Sequence, residues 1–100
     1  MEKKKPHYSL RDIKAVVVSL GSEAFTQTAK AGVAKLGLST SEATAIITSL
    51  TNADFYKSMT THADHTQWQD VYHAICPGNK IVYIKFTLRD GAVVIQFKEK

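Results

Sequence analysis

Residues 81–98, IVYIKFTLRDGAVVIQFK, carry the clearest structural pattern in the chain. Apolar residues recur at alternate positions on both sides of Asp90-Gly91, a dipeptide typical of tight turns between two β-strands. Because side chains alternate between the two faces of a strand, this pattern predicts a hairpin with one face in the core. The residues assigned to the core face are Val82, Ile84, Phe86, Leu88, Val93, Ile95 and Phe97. The residues assigned to the open face are Tyr83, Lys85, Gln96 and Lys98.

The segment before this hairpin predicts two further strands, near residues 56–62 and 67–75. On the second of them, Trp68 and Tyr72 are assigned to the core, since a large ring in an alternating strand fills volume. Asp70 then also points toward the core, where a carboxylate needs hydrogen-bond partners. The residues of this strand that share the open face with Tyr83 are Gln69, Val71 and His73.

The first third of the chain predicts two helices, because apolar residues recur there at helical spacing. The first helix follows Ser9, which resembles a capping box with Asp12, and ends at Gly21. A weaker second helix covers roughly residues 26–36 and ends at Gly37. The buried stripe of the first helix is Ile13, Val16, Val17 and Leu20.

A third helix is predicted from a full capping box, Ser39 with Glu42, to a stop near Asn52. Its buried stripe is Ala43, Ile46, Ile47 and Leu50. Because all the helices precede the strands, the fold class is α+β. We expect N-terminal helices packed on one face of a small, mainly antiparallel β-sheet. The length of 100 residues predicts a single domain over residues 1–100.

The composition is that of a globular chain, with 44% hydrophobic and 22% charged residues. No apolar run approaches the roughly 20 residues that a membrane-spanning helix needs, so no membrane partner is expected. The lysines at 3–5 are interpreted as a solvated tail, and no apolar segment behind them indicates a secretory signal. We therefore expect a cytoplasmic location. The single cysteine, Cys76, excludes an internal disulfide and a thiolate zinc site within one chain.

The net charge of +4 favours a polyanionic partner or an acidic protein. A sheet face with lysines, tyrosines and amides is suited to binding an RNA phosphate. Such a face can also serve RNA cleavage, in which the ribose 2′-OH attacks the neighbouring phosphorus.

Four segments together resemble the MqsR toxin family. They are MEKKKPH (residues 1–7), DFYKSMTTHADHTQWQDVY (54–72), VYIK (82–85) and FKEK (97–100). The resemblance implies a RelE-like fold and a ribosome-independent endoribonuclease that cuts single-stranded mRNA at GCU-like sites without a cofactor or metal. It also implies a partner, a zinc-binding antitoxin with a helix-turn-helix part, through which alone the toxin would meet DNA.

The resemblance further implies the residues of the site. The catalytic set is Lys57, Gln69, Tyr83 and Lys98; the RNA-binding set is Tyr56, His73 and Lys85. In these roles the lysines stabilise phosphorane charge, and the tyrosine either protonates the leaving oxygen or orients the phosphate. The glutamine positions the 2′-OH or a phosphate oxygen by hydrogen bonds. Two positions depart from the family pattern, since His62 stands where a tyrosine is expected and His73 where an arginine is common.

Two other interpretations remain open for this face. A non-catalytic RNA- or protein-binding module could use the same lysines for affinity alone. A metal-dependent hydrolase built on His62, Asp64, His65 and His73 is disfavoured, because their spacing matches no standard zinc pattern. The alternative role for Tyr56 is packing against the core. A catalytic role for the thiol of Cys76 is disfavoured because no neighbouring base is apparent.

Overall fold

The structure, a computed structural model, describes residues 1–89 and 92–100, and within them five strands form one sheet in the order β1-β2-β3-β4-β5. Each strand is antiparallel to its neighbour. The strands are β1 (Glu2–Lys3), β2 (Phe55–Thr60), β3 (Trp68–Cys76), β4 (Lys80–Arg89) and β5 (Ala92–Glu99). Both strands predicted before the hairpin are confirmed, the first of them ending two residues earlier than expected.

Three helices, all within the described residues, precede β2. They are α1 (Leu10–Leu20), α2 (Gln27–Lys35) and α3 (Thr40–Thr48). Side-chain caps start each of them, with Ser9, Thr26 and Ser39 accepting backbone N–H bonds. The predicted capping box of Ser39 and Glu42 is present, with both hydrogen bonds formed. The expected stop of α3 at Asn52 was wrong, because the helix ends at Thr48 and Asn52 begins a separate 3₁₀ turn.

The helices cover one face of the sheet and form the core with it, which confirms the α+β prediction. The fully buried residues of this core include Ile13, Val17, Ala29, Ala43, Ile47, Tyr72, Ile84, Phe86 and Ile95. In the described part of the chain, none of the helices combines the length and apolar character that crossing a membrane requires. The opposite face of β2 to β5 is left open.

The predicted register of the last two strands is confirmed. Tyr83 pairs with Lys98 and Lys85 pairs with Gln96, while Phe86 and Ile95 face the core from the alternate positions. The turn signal at 90–91 lies outside the described residues, although Arg89 and Ala92 pair on either side of it.

The position of the N-terminal segment shows that two predictions were wrong. Glu2 and Lys3 form β1 on the edge of β2, so the first of the three lysines belongs to the sheet and not to a solvated tail. Trp68 is half-buried and lies outside the main core, because its ring stacks on His7 at 5.2 Å and lies under the Lys3 ammonium at 4.3 Å. Asp70 is fully buried, as expected, and it finds its partners in this same N-terminal segment.

Gly32 sets how closely α2 approaches β5. A Cβ atom at this position would lie 2.0 Å from the carbonyl oxygen of Phe97, a backbone atom that no rotamer change can move. We predict that Gly32→Ala costs about 2 kcal/mol of unfolding free energy, although alanine is the better helix former. Urea unfolding of Gly32→Ala would test this, with Ala31→Gly at the neighbouring position of α2 as the control. Equal stability of Gly32→Ala and wild type would mean that α2 can shift away from β5 at no cost.

Candidate active site

Side chains on the open face stand in rows that cross the strands. The first row is His73, Tyr83 and Lys98. The second row is Lys57, Val71, Lys85 and Gln96. The third row, nearer the other end of β3, is Met59 and Gln69. These rows bring six of the seven residues that the family resemblance implies onto one face of the sheet.

An irregularity in β2 adds Tyr56 to this face. The pairing of β2 with β3 shifts between Phe55 and Lys57, which is the signature of a β-bulge. Phe55 meets the core residue Tyr72, whereas Tyr56 stacks on His73 with ring centroids 4.6 Å apart. In a regular strand, Tyr56 and Lys57 would point to opposite faces. The bulge therefore places a phenol ring and an ammonium side by side.

These residues surround an open cleft of about 500 Å³, a size typical of ligand sites. Its lining residues are Tyr56, Lys57, Met59, Val71, Tyr83, Lys85, Gln96, Lys98, Glu99 and Lys100. Four of these side chains are lysines and one is a glutamate, so the cleft is suited to an anion. Gln69 and His73 are on the same face but, within the described residues, outside this lining. Gln69 stands beside the cleft as the neighbour of Met59.

His73 joins the two tyrosines of the cleft. Its ring stacks on Tyr56 and meets Tyr83 edge-on at 4.7 Å. Its Nε2 atom is buried without a hydrogen-bond partner among the described residues. Burial lowers the pKa of His73, and the charge of Lys100 lowers it further, so the neutral ring is favoured. His73 thus contacts both phenol rings of the cleft.

The lowered pKa of His73 makes a prediction about stability. Between the usual histidine pKa of about 6.5 and the lower folded value, the unfolded chain binds a proton that the folded chain does not. This contribution to stability is therefore present above about pH 6.5 and is lost as the pH falls through the folded pKa. We expect His73→Phe, which keeps an aromatic ring, to weaken the fall in stability between about pH 7 and pH 5. Urea unfolding across this range would show it, and an unchanged slope would contradict it.

Lys57 is held by an acidic side chain from β1. Its Nζ atom lies 3.0 Å from Oε1 of Glu2, and 5.3 Å from the ring centroid of Tyr56. The hydrogen bond and charge of Glu2 raise the pKa of Lys57, while the pKa of Glu2 is lowered in return. Lys57 is therefore a cation at neutral pH, which suits it to stabilising negative charge.

Besides Glu99, which lines the cleft, sequence reasoning missed three charged residues near it. They are Glu2, Lys4, whose ammonium lies 5.6 Å from the Tyr56 ring, and Lys100, which lies 5.9 Å from the Tyr83 ring. Lys100 directly follows β5, so extending the strand alternation by two residues from Lys98 would have placed Lys100 near the cleft. The two N-terminal residues gave no such signal, because β1 is only two residues long.

Comparison with known proteins identifies the family of this chain. The family described as "Motility quorum-sensing regulator, toxin of MqsA" matches residues 5–99. The chain belongs to the MqsR toxin family. It is also 40% identical to the mRNA interferase toxin MqsR of Escherichia coli (strain K12) over 100 residues, which cover all of both chains.

The remaining histidines of this MqsR-family chain lie apart from the cleft. His62 and His65 are exposed in the loop between β2 and β3, whereas His73 is within the aromatic stack. Over residues 1–89 and 92–100, no three histidine, cysteine or acidic side chains lie close enough together to hold a metal ion. Cys76 is buried, and burial raises the pKa of its thiol, which disfavours the reactive thiolate.

Proposed function

We propose that this MqsR-family chain is an endoribonuclease toxin that cleaves mRNA without the ribosome and without a metal. The observation that supports this is the convergence of Lys57, Lys85, Lys98 and Lys100 on one cleft that also holds the hydroxyl of Tyr83. Cations that are fixed around a cleft can neutralise the charge that builds up on phosphorus during cleavage. The relative that is 40% identical carries the name mRNA interferase toxin.

In the proposed reaction, the RNA phosphate lies among the lysines of the cleft. The ribose 2′-oxygen forms a bond to phosphorus and gives its proton to water, while the bond from phosphorus to the 5′-oxygen breaks. Tyr83 donates a proton to that leaving oxygen, and Lys57 and Lys98 stabilise the charged intermediate. Gln69, which cannot titrate, orients the attacking ribose from the edge of the cleft. The products are a 2′,3′-cyclic phosphate and a 5′-hydroxyl end.

Binding of single-stranded RNA would use the rings as well as the charges. Tyr56 is 43% exposed, so it can stack on an unpaired base, and its opposite side is supported by His73. Lys85 would contact the backbone phosphates. This geometry favours a single strand, whose bases can leave their stack. A preference for GCU-like sites is part of the proposal on the strength of the family resemblance alone.

The proposed partner is an antitoxin, since the family description names a toxin of MqsA. We propose that it is a zinc-binding protein with a helix-turn-helix part, that it binds an exposed edge or surface of the sheet, and that it alone contacts DNA. Both molecules would act in the cytoplasm, where the mRNA substrate is translated.

Cleavage of a defined mRNA in EDTA, mapped by primer extension, tests the function. We expect cuts at recurring short sequences, lowered at least about tenfold by Tyr83→Phe because the proton donor is lost. Loss of all cleavage in EDTA would favour a metal-dependent hydrolase. RNA binding without cleavage would favour a non-catalytic module. Equal rates for Tyr83→Phe and wild type would remove the tyrosine from the mechanism.

A further inference from the structure

The N-terminal strand delivers a carboxylate to the proposed catalytic lysine. Among the described residues, the contact between Glu2 and Lys57 is the one side-chain ion pair within 4.0 Å. Glu2 pairs with Lys57 although Lys4 is only two positions from Glu2 in the sequence and three more lysines line the same cleft. The location of Glu2 therefore needs an explanation in the fold.

The backbone of β1 is attached to the sheet at several points. Glu2 is the cross-strand partner of Met59, and the N–H of Thr60 donates to the carbonyl oxygen of Met1 at 2.9 Å. Met59 lines the cleft, so its partner Glu2 also stands on the open face. From there the carboxylate reaches diagonally to Lys57 on the neighbouring strand.

A second attachment lies after β1. The backbone N–H groups of His7 and Tyr8 donate to the buried carboxylate of Asp70, at 3.0 and 2.8 Å. Lys3 lies over the ring of Trp68. The N-terminal arm, residues 1–8, carries Glu2 and is thus attached at both ends. Glu2 is therefore placed beside Lys57 by the fold and not by chance contact of two long side chains.

We propose that Glu2 is a positioning residue, which holds the ammonium of Lys57 at the cleft so that Lys57 acts as a fixed cation and not as a base. An ammonium has three N–H donors, so the bond to Glu2 leaves two for the phosphate oxygens. Holding a long, flexible side chain in place also removes an entropic cost from the reaction. The role in RNA cleavage rests on the proposed function, whereas the hold on Lys57 does not.

The first test is an NMR titration of the Lys57 side chain in wild type, Glu2→Gln and Glu99→Gln. Glu99 is the matched control, because it lines the same cleft and loses the same charge without being paired to Lys57. The ionisable groups that also face Lys57 are Lys4, Tyr56, Tyr83, Lys85, Lys98, Glu99 and Lys100. We expect the midpoint of Lys57 to move to lower pH in Glu2→Gln and to stay near the wild-type value in Glu99→Gln. Equal midpoints in wild type and Glu2→Gln would overturn the proposal.

The second test is kinetic and uses the same proteins with single-stranded RNA. We expect Glu2→Gln to lower kcat about tenfold without raising KM, because an anion has been removed beside the bound phosphate while the cation has lost its support. A further variant, Glu23→Gln, removes the same charge at an exposed residue outside the cleft and should keep the wild-type kcat. A kcat for Glu2→Gln at or above wild type would mean that Glu2 competes with the substrate, and would overturn the proposal. Absence of cleavage by wild type would reject the proposed function, and the titration would still decide whether Glu2 holds Lys57.

Discussion

Lys57→Ala is expected to lower the rate of RNA cleavage roughly 100- to 1,000-fold, which is the usual cost of losing a group that stabilises an oxyanion. Lys57 is placed by the β-bulge at the wall of the cleft, in the row that also holds Lys85. Its removal has a double effect, because it deletes a cation and leaves the carboxylate of Glu2 unpaired beside the phosphate. The fold should survive, since an ion pair that is screened by solvent in this way contributes little to stability.

The matched control for Lys57→Ala is Lys80→Ala. Lys80 is an exposed residue at the start of β4, outside the lining of the cleft, so it makes the same change in net charge without touching the site. Initial rates on a defined single-stranded RNA in EDTA, together with circular dichroism spectra, would compare the two variants. Cleavage by Lys57→Ala at the rate of Lys80→Ala would show that the chemistry lies elsewhere on this face.

The hairpin of β4 and β5 shows what sequence alone can establish. Its alternation of apolar and polar residues is local, and burial of one face leaves a single acceptable register, so the row of Tyr83 and Lys98 followed directly. The helix starts at Ser9 and Ser39 were equally predictable, because a capping side chain acts within the same turn.

The rest of the site depends on contacts between distant parts of the chain. The bulge at Tyr56 arises in the pairing of β2 with β3, so the pattern of residues within β2 alone does not indicate it. The two residues of β1 are too few to show a period, and the segment is fixed to Asp70 across 63 residues of sequence. The same contacts explain the position of Trp68. The alternation of residues in β3 predicted that its ring is buried by the helices, but the ring is covered by the N-terminal segment instead.

Asp70→Ala is the substitution that we expect to destabilise the fold most, by about 4 kcal/mol. The carboxylate accepts hydrogen bonds from the backbone of His7 and Tyr8 and from the hydroxyl of Ser58, the last at 2.6 Å. Asp70 has no exposed surface, so alanine leaves the buried Ser58 hydroxyl and the two partly buried N–H groups without their acceptor. A donor that loses its partner in a buried site costs about 1–3 kcal/mol. A loss of this size is a large part of the roughly 5–15 kcal/mol that stabilises a typical domain.

Asp12→Ala is the control for this experiment, because Asp12 is an exposed carboxylate in the first turn of α1 and should cost less than about 1 kcal/mol. Urea unfolding of both variants would measure the difference in stability. Asp70→Ala should also reduce RNA cleavage at temperatures where it remains folded, since the arm that presents Glu2 to Lys57 loses its attachment. Equal stability of the two variants would mean that the N-terminal segment is held by its strand pairing with β2 alone. Full cleavage by folded Asp70→Ala would mean that the arm keeps Glu2 in place without the carboxylate. The buried Asp70 thus links the stability of the sheet to the geometry of the cleft, and the two measurements separate these contributions.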